Sequence, residues 1–340
     1  MPNTDLGLLD LTETAGCACK VDSRALRVLR DSLNLKIEHL GLQDAGSFTF
    51  TVGRRRTRFA GSIDFIGPIA RAPSDYGAIA ALHALSDLWA SGVRPQVALV
   101  VAIWPRDSRL WPLLIEAVAA MQRTCEEHKC EILGGHTAYG DQPFLGLSVF
   151  GQKMKVPVKP AVKAGDHIWL TKLIGVGMAI GALKEGECSP EVEEHALAAM
   201  KTPNTCGMEL NRSPLVKIVS DVTGFGLVGQ LAELIKQTGL KVKLDAPSIP
   251  LVQGVKELAQ VGHGASAAER NWQEYTSLIA GSTTLETLRI ICDPQTNGPL
   301  LFVADKDVKK RDPRMAGYHH VGHLVDPREV PDDPSVRSIF

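Results

Sequence analysis

Asp221-Val222-Thr223-Gly224-Phe225-Gly226 sets an acid at the end of an apolar run, then a glycine-rich turn. An amphipathic stretch follows through Leu227, Val228, Leu231, Leu234 and Ile235. Backbone N–H groups at such a helix start favour anions, and the acid beside them can hold a cation. Asp44, Asp64 and Asp87 stand in similar apolar-to-glycine settings, and Asp293 also precedes a glycine-containing turn. Two unit charges about 4 Å apart repel by about 1 kcal/mol in water and about 4 kcal/mol at an effective dielectric of 20. Acids that converge on a polyphosphate therefore call for Mg²⁺, which bridges carboxylate and phosphate oxygens. Taken singly, each Asp also reads as a cap, a turn or a surface residue. Asp87 fits that plain reading least, because it shares a helical stretch with Ile79, Leu82 and Trp89.

A second reactive group is Gly16-Cys17-Ala18-Cys19-Lys20. A thiol becomes a nucleophile as thiolate, and an ammonium three residues on can lower its pKa or reach a phosphate as a point charge. A metal at these cysteines needs further ligands. Cys125 and Cys130 are candidates, but nothing in the sequence ties them to Cys17, and incidental thiols in a mobile terminus are the plainer reading of this chemistry alone. Gly134-Gly135-His136-Thr137, after the apolar run ending at Leu133, reads as a turn or a binding loop that lets backbone approach a ligand. No Gly-x-x-x-x-Gly-Lys-Ser/Thr run occurs, so a nucleotide site here is not of the P-loop type.

The elements that must position these groups alternate. Residues 47–52 and 58–63 read as strands of a hairpin whose tip, Gly53-Arg54-Arg55-Arg56, is basic and solvated. Ser74 is placed to cap a helix over 75–90, followed by a buried strand over 96–103 and a helix over 111–127 with Pro112 in its first turn. Short strands are expected at 131–133 and 144–150. The stretch 151–165, rich in Lys, Pro and Val, reads as a linker, with a boundary near residue 156. Beyond it come a strand at 167–171 and helices at 176–183, 190–200 and 206–219. The helix after Asp221 stops at Gly239; a strand at 241–244, a helix at 251–259 and a strand at 300–304 follow. His319, His320 and His323 alternate within a strand and are assigned structural roles, and Trp89, Trp104 and Trp111 are assigned to the core. Lys172, just past a strand, is a candidate for phosphate.

The chain has 340 residues, 44% apolar and 22% charged, with a net charge of −1. That length suits two domains, each with its own core, in the α/β or α+β class. Near-zero net charge argues against broad binding to nucleic acid or anionic lipid. No apolar stretch is long enough to span a bilayer, and the first dozen residues lack the order of a signal peptide. Seven cysteines in a chain of this length do not make a disulfide framework, so a reducing cytoplasmic setting is expected.

In order along the chain, these signals resemble one family. Gly16-Cys17-Ala18-Cys19-Lys20 is similar to the Gly-Cys-Gly-Cys-Lys segment of selenophosphate synthetases (selenide, water dikinases). Asp64-Phe65 with Pro68-Ile69, Asp75-Tyr76-Gly77, Ala84-Leu85-Ser86-Asp87, Trp104-Pro105 and Gly134-Gly135-His136 continue the likeness. So do Leu170-Thr171-Lys172, the Asp221 run, Arg270-Asn271 and Asp293-Pro294-Gln295-Thr296. The resemblance covers residues 16 to 325; the Asp221 run and the Cys–Lys element are its specific parts.

The resemblance implies a two-domain aminoimidazole ribonucleotide synthetase-like fold, with N-domain strands pairing into a barrel in a homodimer. The expected division is a Gly/Cys lid over 1–20, an ATP-binding and dimerisation domain over 21–156 and a C-terminal α/β domain over 157–340. It implies conversion of ATP, selenide and water to selenophosphate, AMP and phosphate, supplying activated selenium for selenocysteine and selenouridine. The selenium comes as selenide or from a delivery protein; no membrane or nucleic acid is involved. By position, Cys17 matches the catalytic Cys or selenocysteine and Lys20 the essential lysine. Asp44, Asp87 and Asp221 match Mg²⁺ ligands, and Asp64 a carboxylate on the nucleotide or its metal. Leu42, Gln43, Gly134, Gly135 and His136 match nucleotide contacts, and K⁺ is a further candidate ion.

The chain also departs from the family. Gln43-Asp44 stands where the family often shows two acids, Arg71-Ala72 where it is commonly acidic, and Ala18 where the lid has glycine. Asn297-Gly298-Pro299 replaces a Ser/Thr-Gly-Gly turn. These departures leave two alternatives: a catalytically weak nucleotide-binding paralogue regulating selenium metabolism, and another ATP-dependent enzyme of the same superfamily. The second has no use for the Cys17/Lys20 lid.

Overall fold

A computed structural model describes residues 7–13, 15–20, 45–264, 266–275 and 284–329. Among the described residues, two five-stranded sheets organise the fold. The first takes the order β1-β2-β5-β3-β4, with β1 (Gly46–Val52), β2 (Arg55–Ile66), β3 (Val93–Trp104), β4 (Glu131–Tyr139) and β5 (Phe144–Lys153). Its pairs are antiparallel except β3 with β4. The second takes the order β7-β9-β6-β10-β8, antiparallel throughout, from β6 (His167–Leu170), β7 (Val216–Asp221), β8 (Lys241–Leu244), β9 (Leu300–Ala304) and β10 (His319–Val325).

Helix α1 (Pro73–Ala90) joins the two halves. It packs against α2 (Trp111–Glu127) and the first sheet on one side. On the other it meets α4 (Pro190–Lys201), α5 (Cys206–Arg212) and β7. Its sequence is apolar all round, and every residue from Ile79 to Ala90 is buried. Such a helix belongs inside a molecule. At Gly77 a Cβ would lie 1.8 Å from the Ala117 carbonyl oxygen, so the α1–α2 crossing requires glycine there. Within that buried stretch the polar residues are His83, Ser86 and Asp87, spaced i, i+3, i+4 and so on one face. Buried polar groups cost free energy unless paired, so each must have a partner.

The outer face of the first sheet is open. Phe48, Phe50, Ile63, Phe65, Leu99 and Leu133 are exposed on it, while Ala60, Ile66, Leu147 and Ala98 are buried. The second half adds α3 (Val176–Glu185), α6 (Gly226–Thr238), α7 (Val255–Val261), α8 (Ser266–Tyr275), α9 (Leu285–Cys292) and α10 (Val308–Arg311).

Several expectations are corrected. Residues 206–219 are not one helix: α5 ends at Arg212, and the β-branched run after Pro214 forms β7. Ser74 does not cap α1; Ala72 holds the cap position without a side-chain bond, and Pro73 begins the helix. Strand β2 continues to Ile66, so Asp64 lies inside it rather than closing it. Burial alternates along β3, so that strand is not covered on both faces. Helix α7 starts at Val255, after Gly254, rather than at Leu251. Trp89 and Trp104 are buried, but Trp111 is 36% exposed at the start of α2.

Candidate active site

Strand β7 ends on Asp221, and the chain turns through Val222 to Phe225 into α6. Two bonds fix the turn: the Val222 amide donates to the Pro299 carbonyl at 2.9 Å and the Gln295 amide to the Thr223 carbonyl at 2.9 Å. Asp221 is thereby held beneath α1, where Ser86 Oγ donates to its Oδ2 at 2.7 Å. Asn204 Nδ2 donates to that hydroxyl at 2.9 Å and to the Gly298 carbonyl at 2.9 Å. An acid of the second half is thus bonded to the helix that carries Asp87. Asp87 in turn accepts a hydrogen bond from Ser62 on β2, two residues before Asp64.

The segment bearing Cys17 and Lys20 lies on Asp64 and His83. Lys20 Nζ pairs with Asp64 Oδ1 at 2.9 Å. Cys17 Sγ lies 2.9 Å from His83 Nε2, and the Cys17 amide donates to Thr296 Oγ1 at 3.1 Å. Arg270 clasps the segment from α8, donating to the Ala18 carbonyl at 2.8 Å and the Lys20 carbonyl at 3.2 Å. Next to it, Asn271 Nδ2 donates to the Gly224 carbonyl at 3.0 Å. Gly224 approaches the segment so closely that a Cβ there would sit 3.1 Å from the Cys17 carbonyl oxygen. Cys17 is 2% exposed, so it is not an incidental thiol on a loose terminus. Beside it opens a cavity of about 310 Å³, lined in part by Ala18, Ile69, Gly177, Pro294 and Thr296.

Charge in this cluster is balanced locally. Burial pulls the Lys20 ammonium down, but Asp64, with Cys17 and Asp87, outweighs it and holds Lys20 well above the ordinary lysine range. Burial likewise opposes the Asp64 charge, and Lys20 overcomes it, so the carboxyl stays below its usual value. His83 is lowered to about 4, by burial first and then by the nearby Lys20 and Lys172 charges, with Asp64 opposing. It is neutral at physiological pH.

Lys172 is pushed down to about 7 by burial, and its Nζ donates to the Thr202 and Asn297 carbonyls at 2.8 and 2.7 Å. It braces the 296–298 turn instead of presenting a free ammonium to a phosphate.

The structure gathers Cys17, Lys20, Asp64, Asp87 and Asp221. Leu42, Gln43 and Asp44 lie outside the described residues. Gly134, Gly135 and His136 lie in β4 rather than in a turn or loop. Asp64, Leu147, Val100 and Gly135 are register partners in one row, so Gly135 is three strand spacings from Asp64, about 14 Å. A Cβ on Gly135 would lie 2.3 Å from the Val100 carbonyl oxygen, so tight strand packing explains that glycine without a ligand. Sequence reading gave no role to His83, Ser86, Asn204 or Asn297. A three-residue polar stripe on an otherwise apolar helix was the signal that could have found the first two.

Among the described residues, no three His, Cys, Asp or Glu side chains are close enough to hold a metal unaided. The acids that do approach offer oxygen donors only. That set fits Mg²⁺, which is bound through one or two carboxylates with substrate phosphates and water completing its shell.

Comparison with known proteins gives the family and the fold. The AIR synthase related protein N-terminal domain matches residues 43–152, and the corresponding C-terminal domain matches residues 163–309. The AaThiL structure complexed with AMPPCP and TMP superposes with a TM-score of 0.63 at 16% identity, covering 90% of this chain and 91% of that one. HypE–HypF matches at 0.65 and 18%, covering 90% and 94%. At these identities the likeness speaks for the fold alone. The chain is therefore a two-domain protein of the AIR synthase-like superfamily. Selenide, water dikinases of Escherichia coli strain K12 and of Shigella flexneri are each 30% identical over 322 residues, covering 91% of this chain and 92% of theirs. The chain belongs to the selenide, water dikinase (selenophosphate synthetase) family, among ATP-dependent enzymes of kinase type.

Proposed function

We propose that this protein makes selenophosphate from ATP, selenide and water, releasing AMP and phosphate, for selenocysteine and selenouridine formation. One observation carries the reading: a buried thiol and an ammonium from the same short segment lie on His83 and Asp64 of the first half and against Gly224, in the turn that follows Asp221 of the second. Cys17 on His83, Lys20 on Asp64 and Asp221 on Ser86 are the three contacts. Relatives acting on carboxamides or thiamine phosphate have no use for that thiol.

Phosphoryl transfer depends on positioning and charge neutralisation more than on covalent chemistry. Asp87 and Asp221, with Asp44, would hold Mg²⁺, whose charge would offset the repulsion between carboxylates and phosphates. Lys20, paired with Asp64, brings a fixed positive charge to the transferred phosphoryl oxygens. The segment over 1–20 acts as a lid that Arg270 and Thr296 hold shut, excluding water until it is needed as nucleophile. Cys17 handles selenium rather than accepting phosphate. Domains over 21–156 and 157–340 contribute Asp87 and Asp221 respectively. The open apolar face of the first sheet takes a second copy in a homodimer; Gly134 and His136 on β4 are assigned to the nucleotide, and Gly135 only through its backbone, since its missing Cβ is accounted for by Val100. Selenide or a selenium-delivery protein reaches Cys17 through the adjoining cavity, and the reaction belongs in the cytoplasm; K⁺ is an added candidate. Among the described residues no helix is long and apolar enough to cross a membrane.

Arg71, one of the departures that suggested a weak paralogue, pairs with Glu193 at 3.5 Å, which gives it a structural role. The deciding assay incubates the protein with ATP, Mg²⁺ and anaerobic selenide and follows ³¹P spectra. Selenophosphate and AMP are expected together, and Asp221→Ala should lose both. Nucleotide binding without either product would leave the paralogue reading in place.

A further inference from the structure

We infer that His83 is a positioning residue for Cys17, a fixed hydrogen-bond donor to its sulfur, and that the Asn297 backbone sets it in that role. The proposal deepens the reading above by assigning how the thiol is kept reactive, and rests on that reading only for the reaction the thiol serves.

The Asn297 amide donates to His83 Nδ1 at 3.2 Å. An imidazole nitrogen that accepts carries no proton, so a neutral His83 bears its proton on Nε2. Nε2 is the atom 2.9 Å from Cys17 Sγ, with Asp64 Oδ2 farther off at 3.6 Å. The N–H therefore points at sulfur. A ring in this tautomer cannot take the thiol proton at Nε2; it can stabilise negative charge already on the sulfur. Lys20 supplies the complementary positive charge, and Asp64 and Asp87 are the acids facing the same group.

The donor has little freedom to turn. His83 is 1% exposed on α1. Asn297 has a left-handed backbone, φ 46°, that Asn tolerates better than most residues. Its side chain donates to the Met200 carbonyl at 2.5 Å and to the Thr202 carbonyl at 3.1 Å, and its own carbonyl accepts from Lys172. The residue before it, Thr296, accepts the Cys17 amide. One turn of the second half thus places both the thiol and its donor. Cys17, though 2% exposed, also lines the 310 Å³ cavity, which opens beside the segment that carries the sulfur.

The test uses the full chain without ATP or selenide, so its failure is distinct from failure of the proposed reaction. The rate of Cys17 alkylation by iodoacetamide is measured at neutral pH and mapped by peptide mass. His83→Phe, which removes the donor, should slow it about tenfold or more. His83→Gln keeps an N–H donor that cannot act as a base and should recover most of the wild-type rate. Equal rates in wild type and His83→Phe would overturn the proposal. Equal slowing in both variants would overturn it too, because it would make the imidazole a base. Should His83→Phe not fold, ¹⁵N-histidine spectra of the wild-type chain decide. A neutral His83 protonated on Nε2 supports the proposal, and protonation on Nδ1 refutes it.

Discussion

Ser86, on the helix shared by both halves, donates to Asp221 at 2.7 Å. That bond crosses 135 residues of sequence and joins the acid of the Asp221 turn to the stripe formed by His83, Ser86 and Asp87. The two halves therefore meet through polar groups buried at the centre of the molecule, where unpaired partners are costly. Under the proposed function the same side chains serve both stability and nucleotide chemistry, and substitutions can separate the two.

Ser86→Ala removes a donor from a buried carboxylate while leaving the acid in place. The expected loss is about 1–3 kcal/mol, read as a lower melting temperature, with ATP turnover reduced less than tenfold. Asp221→Ala should do the reverse, cutting ATP-dependent turnover by about 100-fold or more if the acid serves the metal-bound triphosphate. Thermal melts beside AMP-release assays check both. Two variants with the same activity loss at matched stability would show that Asp221 only braces Ser86.

Lys20→Met keeps the stem and deletes the ammonium. Arg270, Thr296 and His83 still hold the segment through other atoms, so the fold should survive. Turnover is expected to fall about 100-fold or more, with nucleotide affinity by calorimetry changing less than tenfold, because in the proposed function the charge acts on the transferred group. A variant that fails chiefly in nucleotide binding would move Lys20 from chemistry to affinity.

Much of this site was legible because its local patterns were strong. Helix α2 carries amphipathic spacing with Pro112 in its first turn, and it runs from Trp111 to Glu127 as the pattern predicts. Strand β9, a continuous apolar run, is likewise found at Leu300–Ala304. Legibility stopped where long-range contacts decide. His83 stands out as polar in an apolar stretch, but its role does not show locally, because its partners lie 66 and 214 positions away. Gly134-Gly135 read as a turn because glycine breaks strands, yet β4 needs Gly135 for its close approach to Val100. The stretch 206–219 read as helical because apolar residues fall at helical spacing on both sides of Pro214, which ends α5 before β7 begins.

The open sheet face gives a prediction about assembly. Phe50 is 58% exposed and Ile63 57%, alongside Phe48, Phe65, Leu99 and Leu133. A contiguous apolar face of this kind marks an association surface. Phe50→Glu with Ile63→Lys should convert a species of twice the chain mass in light scattering into one of a single chain mass. Neither side chain packs on the helix side, so the monomer should keep its helical signal in circular dichroism. A wild-type protein that stays monomeric at high concentration would remove the dimer from the proposed function.

Asp293 predicts a pH dependence whose sign can be worked out. It is fully buried, and burial raises its carboxyl to about 7, with the Met178 and Gly177 amides and the Gln295 side chain pulling it partly back. A carboxyl raised in the folded state favours folding while protonated, so its contribution is full below about pH 4 and lost as pH climbs through about 7. The loss is about 4 kcal/mol at most, from roughly three pKa units. His83 works in the opposite sense: lowered to about 4, it contributes above about pH 6.5 and loses that contribution as pH falls toward 4. The wild-type curve mixes the two, whereas the difference between Asp293→Asn and wild type isolates the carboxyl. Denaturant unfolding should show Asn gaining on Asp from about pH 5 to about pH 8. A flat difference across that range would mean the carboxyl is already ionised at the lower end, held there by the α3 amides that face it.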